Sequence, residues 1–129
     1  MSNIDDVVMG LFSTLSRINM FIGIIPDYVQ DDMDDVKMDI ISTLRSLGCN
    51  VSMGNNDRVV MIDMVTMYKE LNNISNDLSN YMLMIADIGN DSSQLEDAIT
   101  NISLIIKTIA ANDIVFRYCY NNAKKRVLK

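Results

Sequence analysis

The residues best placed to do chemistry are carboxylates. Asp31, Asp32, Asp34 and Asp35, with Asp27 and Asp39 nearby, form the densest acidic cluster in the chain. Asp31 and Asp35 fall on one face of a helix, as do Asp35 and Asp39, because residues four apart are neighbours there. Paired carboxylates hold divalent cations or act as an acid and a base. A regular helix, however, strings them along a rod, and the calcium-loop pattern with its central glycine is absent. The cluster therefore reads as a solvated face that retains the capacity to dock a basic partner. The 129 residues include no histidine. That removes the commonest general base and the commonest zinc ligand together, and it rules out a Ser–His or Cys–His nucleophile. Cys49 and Cys119 alone make a poor zinc site and read as reduced thiols, with a single bridge left open. No catalytic residue, metal site or cofactor is assigned, and the chain is read as non-enzymatic.

A second constellation lies at the other end. Arg117, Lys124, Lys125, Arg126 and Lys129 make up five of the eleven basic residues. The first 116 residues carry six cations against seventeen acids, so a body of −11 meets a tail of +5 and the net charge is −6. Tyr118 and Tyr120 lie among these cations, an arrangement that stacks on single-stranded nucleic acid in other settings. Two simpler roles compete with that one. Cations favour the negative end of a helix dipole, and a basic tail pairs with the acidic surface of a second subunit. An overall charge of −6 argues against general nucleic-acid binding.

These groups must be positioned by helices. Four stretches alternate apolar steps of three and four, the spacing of a stripe on one helix face. The first seam is Ile4, Val8, Leu11, Leu15, Ile18, Ile22, Ile25, and the second is Val29, Met33, Val36, Ile40, Leu44, Leu47. The third runs from Val60 through Met64, Met67, Leu71, Ile74, Leu78, Tyr81 and Ile85 to Ile88, and the fourth is Leu95, Ala98, Ile102, Ile105, Ile109. The spacing predicts helices over about 3–25, 26–47, 57–88 and 93–121. Gly48 and Gly89 should cap the second and third helices, and Ser93-Gln94-Leu95-Glu96 matches a capping box for the fourth. The pattern weakens at Ala111-Asn112-Asp113, a site for a bend. The expectation is an all-α, antiparallel four-helix bundle with long heptad-patterned helices, a single domain spanning 1–129 with a basic tail at about 117–129. The stretch 7–25 is apolar, but Arg17, Asn19 and its amphipathic period make it a buried helix, which argues against a membrane span. Asp5 and Asp6 stand where a signal peptide would be basic, so the Asn-x-Ser sequons at Asn50, Asn73, Asn90 and Asn101 read as chance and the expected location is cytoplasmic.

Two segments are too apolar for one buried face. Beside its seam the first helix carries Val7, Met9, Phe12, Met20, Phe21 and Ile24, and the third begins with Val59, Met61, Ile62, Val65 and Tyr68. Such a helix is either central in its fold or covered by a partner. Eleven methionines suit an adaptable surface, although methionine also fills cores. Phe12, Met20, Phe21, Met61, Val65 and Tyr68 are therefore expected to form an interface in a homodimer or higher homo-oligomer.

Two resemblances accompany this reading. Ile85-Ala86-Asp87-Ile88-Gly89-Asn90-Asp91 loosely resembles the core of a BH3 segment from the Bcl-2 family, but it has Asn90 where that pattern has Asp, and the chain lacks tryptophan. It transfers no functional residue. Asp5-Asp6-Val7-Val8-Met9, the acidic run 31–40 and the segment 84–91 look like proteins of AT-rich large DNA viruses, with poxviruses the nearest comparison. That resemblance implies the host-cell cytoplasm or the virion, and a role as an assembly component or as a Bcl-2-like regulator of a host apoptosis or immune-signalling protein. A third expectation is an accessory subunit touching nucleic acid or a polymerase through the basic tail.

Overall fold

A computed structural model describes residues 3–51 and 62–127, with side chains for 4–51 and 62–125. The described residues form helices α1 (Asn3–Phe21), α2 (Gln30–Ser46), α3 (Met64–Asp87), α4 (Ser93–Asn112) and α5 (Ile114–Val127), and no strand occurs among them. The chain is all-α. α4 packs along α2, α3 and α5; α3 also packs on α1 and α5, and α1 on α2. Neither α1 with α4 nor α2 with α3 forms a neighbouring pair among the described residues.

The core follows the stripes closely in α2 and α4. Val29, Met33, Val36, Ile40 and Leu44 are buried, and so are Leu95, Ala98, Ile102, Ile105 and Ile109. Along α1 and the turn after it the buried row is Val7, Leu11, Thr14, Ile18, Phe21 and Ile25, which keeps the expected Leu11, Ile18 and Ile25 and replaces the others by Val7, Thr14 and Phe21. Val8, Leu15 and Ile22 flank it, half-buried. Thr14 is tolerated inside because its hydroxyl donates to the Gly10 carbonyl at 2.9 Å, which leaves no unsatisfied polar group.

The helix ends have local causes. α1 stops at Phe21 rather than at residue 25, because the Ile24 and Ile25 N–H groups both turn back to the Phe21 carbonyl. Pro26 then precedes a 3-10 turn at Asp27–Val29, which replaces the expected first turn of α2. Gly48 and Gly89 adopt left-handed φ of 92° and 82°. At each, two N–H groups return to carbonyls of the last turn, the paired bonds of a Schellman ending. α3 starts at Met64, where Asp63 caps it by accepting from the Thr66 N–H at 2.7 Å. The expected start at 57 lies outside the described residues, but Ile62 and Asp63 are not helical. α4 is capped one residue earlier than the box predicts: Ser92 holds the N-cap position, and the Asp91 carboxylate accepts from the Ser93 N–H at 2.9 Å.

The largest departure is at Asp113. Its backbone is extended (φ −127°, ψ 122°) and divides the expected fourth helix into α4 and α5. Two side chains cap this break from opposite directions. The Asp113 carboxylate accepts from the Phe116 N–H at 2.9 Å, at the start of α5. The Arg117 guanidinium donates to the Ala110 and Ala111 carbonyls at 2.7 and 2.9 Å, at the end of α4.

Candidate interaction surfaces

α1 presents an apolar row outward. Met9, Phe12 and Met20 fall on one helix face and are 72%, 42% and 44% exposed. Two contacts with α3 orient that face. Arg17 donates from Nε to Glu70 at 3.1 Å and from Nη1 to Asp77 at 2.6 Å, one cation bridging two carboxylates two turns apart. Partial burial works against its charge, but the hydrogen bonds to Asp77 and Glu70 outweigh it and raise the pKa. Two turns back along α1, the Tyr81 ring lies across Gly10, so that a Cβ there would overlap the ring. The pairings of Gly10 with Tyr81 and of Arg17 with Asp77 and Glu70 run in opposite chain directions, making the two helices antiparallel.

The expected interface divides accordingly. Phe12 and Met20 are exposed, and Val65 is half-buried in the first turn of α3. Phe21 and Tyr68 are corrected to core positions, only 1% and 8% exposed. Phe21 is carried inside by the rotation of the α1 stripe. Tyr68 is covered by α5, whose Phe116 meets it edge-to-face at 5.2 Å between ring centroids. Met61 lies outside the described residues.

The basic segment is also revised. It is helical to Val127, past the expected end near 121, and packs through Phe116 with Cys119, Tyr120 and Ala123 against the core. Arg117 is spent on capping α4. Lys124 lies 5.1 Å over the Tyr120 ring, and Lys125 is exposed. The side chain of Arg126 and the whole of Lys129 lie outside the described residues. Sequence reasoning missed the exposed Ile114 and Val115 at the start of α5. The signal for them was the pattern break at Asp113, after which an apolar pair has no seam to join.

The acidic cluster of α2 meets α4 in an open cavity of roughly 320 Å³, lined by Asp35, Met38, Asp39, Asp97, Thr100 and Asn101. Partial burial pushes the Asp39 carboxyl above its ordinary value, and the Asp97 and Asp35 charges push it further. No group of metal-ligating side chains among the described residues is arranged to hold an ion. Cys49 and Cys119 are both unbonded and half-buried. No described helix is long and apolar enough to cross a membrane. The chain has no match among protein-family models, curated proteins or solved structures.

Proposed function

We propose that this chain is a non-enzymatic protein–protein interaction or assembly protein: a four-helix bundle of α1, α2, α4 and α3, buttressed by α5, that self-associates through the outer face of α1. The cyclic order of neighbours, α1 to α2 to α4 to α3 and back to α1, supports the bundle. The observation that carries the function is the outward row Met9, Phe12 and Met20. Among the described residues these large side chains are left partly uncovered, Met9 most of all, although α1 is firmly seated by Arg17 and Gly10. Full burial of such a side chain is worth roughly 1.5–3 kcal/mol, and each contributes the part of it that its exposed remainder represents, before the costs of association are subtracted. The viral setting that the resemblance to proteins of large DNA viruses implies fits an assembly component. The Bcl-2-like alternative needs an apolar cleft for a foreign helix, whereas this row lies on the outer face of one helix and the α2–α4 cavity is lined by carboxylates.

The test is the solution mass of Phe12→Asp. Phe12 makes no part of the buried core, so the variant should retain its helical signal and melt cooperatively while losing the mass of the native oligomer. An unchanged mass in both Phe12→Asp and Met20→Asp rejects the α1 interface.

A further inference from the structure

A second surface has a partner written into the chain itself. On α5, Ile114, Tyr118, Asn121 and Lys125 fall at i, i+4, i+7 and i+11, one outward stripe that is apolar at its start and cationic at its end. Ile114 and Tyr118 are 78% and 68% exposed, Val115 flanks them, and Lys124 flanks Lys125. The inner side of the same helix is anchored by Phe116, so this face cannot turn inward.

Its complement lies on the other side of the charge division. The α2–α4 trough holds Asp35, Asp39 and Asp97, and no ion pair among the described residues reaches any of them. Asp97, Asn101 and Leu104 share one stripe on α4, and Leu104 and Met38 are exposed. The two stripes match in length as well as in sign. Seven residues separate Tyr118 from Lys125 on α5, and seven separate Asp97 from Leu104 on α4. Each is a span of about 10 Å at the helical rise. Laid antiparallel, Lys125 meets Asp97 where Tyr118 meets Leu104.

We infer that the outward face of α5 docks in the α2–α4 trough of a second copy of this chain, with Lys124 and Lys125 against Asp35, Asp39 and Asp97, Tyr118 over Leu104 and Ile114 one turn further along α4. The two exposed lysines of one molecule thereby meet the acidic trough of the next. This contact uses none of the α1 residues, so it stands or falls separately from the α1 interface. It is electrostatic where that one is apolar, which gives the two opposite responses to salt.

Sedimentation of the full chain decides it. Wild-type association should weaken by about tenfold or more between about 50 mM and 500 mM salt, as solvated charge pairs become screened. Two charge-reversed proteins, Lys124→Glu with Lys125→Glu and Asp35→Lys with Asp97→Lys, should each lose the salt-sensitive association, all four sites being exposed enough to leave the helical signal intact. Mixed together they should form a heterocomplex, because the reversed face of each now complements a face of the other. Phe12→Asp, run in parallel, should keep the salt-sensitive part. The inference is overturned if the charge-reversed proteins associate like wild type, if the mixture forms no complex, or if wild type shows no salt-sensitive association. A wild type that stays monomeric yet binds phosphatidylserine vesicles through Lys124 and Lys125 assigns the α5 face to lipid and likewise overturns it.

Discussion

Asp39 is the carboxylate whose surroundings oppose its charge most clearly. Its pKa stands above the ordinary 3.8 because the side chain is partly buried and because Asp97 and Asp35 face it across the α2–α4 trough. The folded state therefore holds this proton more tightly than the unfolded chain does. The resulting stabilisation is full below the unfolded pKa and is lost as pH rises through the folded one. At neutral pH the ionised group is a net burden on the isolated molecule. Asp39→Asn removes that charge while its backbone carbonyl continues to accept from the Thr43 hydroxyl at 2.9 Å. The variant should melt at a higher temperature than wild type at neutral pH, and the difference should vanish below about pH 3, where Asp39 is protonated in both states. Thermal melts at the two pH values check this; a neutral-pH melting temperature below that of wild type would show that Asp39 has a favourable partner. Asp63 shows the reverse case at a helix end. Hydrogen bonds from the Thr66 backbone hold its pKa down, so its contribution is present above 3.8 and is lost as pH falls through the folded value.

Between elements, α1 and α3 are locked by features of different legibility. The stripes of α2 and α4 could be read from the sequence because their seam positions are apolar and in step; buried Thr43, beside the α2 seam, was not. The first stripe was read correctly at Leu11, Ile18 and Ile25 and one position off at Val8, Leu15 and Ile22, since periodicity of apolar residues cannot see Thr14 as a core residue; its burial depends on the hydrogen bond to Gly10. The break at Asp113 appeared only as a weak pattern, because its cause is a backbone conformation fixed by reciprocal capping from Asp113 and Arg117. Arg17 with Glu70 and Asp77 was invisible, as these residues lie 53 and 60 positions apart and meet only through the α1–α3 register. Gly10 belongs to that register too, and it makes a prediction with a change of sign. In wild type, Gly10→Ala places a methyl group against the Tyr81 ring, and overpacking of this kind costs about 1–3 kcal/mol. In a Tyr81→Ala background the ring is gone, and the same substitution should stabilise by about 1 kcal/mol through helix propensity alone. Urea unfolding of the four proteins in the cycle measures the coupling. Equal effects of Gly10→Ala in both backgrounds would mean that the ring moves aside freely and that α1 and α3 are not held together there.

Over the whole molecule, the issue is whether the basic C-terminal segment is an appendage or part of the fold. Charge alone suggests an appendage: a +5 end on a −11 body, with cations clustered in the last six residues. Packing says otherwise. Phe116 is fully buried, its ring stands at 86° to that of Tyr68, and α5 lies against both α3 and α4. Tyr68 owes its burial to this helix, and the last carbonyls of α4 owe two of their hydrogen-bond partners to Arg117. Phe116→Ala should therefore cost about 3–5 kcal/mol, a large share of the roughly 5–15 kcal/mol typical of a domain. Truncation after Asp113 removes Phe116, Arg117 and the cover over Tyr68 at once. That protein should melt far below wild type or fail to fold cooperatively. Truncation after Lys125 leaves every described core residue in place and should leave the melting temperature within a degree or two, on the order expected for surface changes. Comparing the two truncations by calorimetry separates the roles of α5. If the protein cut at Asp113 melts like wild type, α5 is a tethered arm. If it collapses while the protein cut at Lys125 does not, the helix is structural through its inner face, and its cationic outer face is left available for a partner.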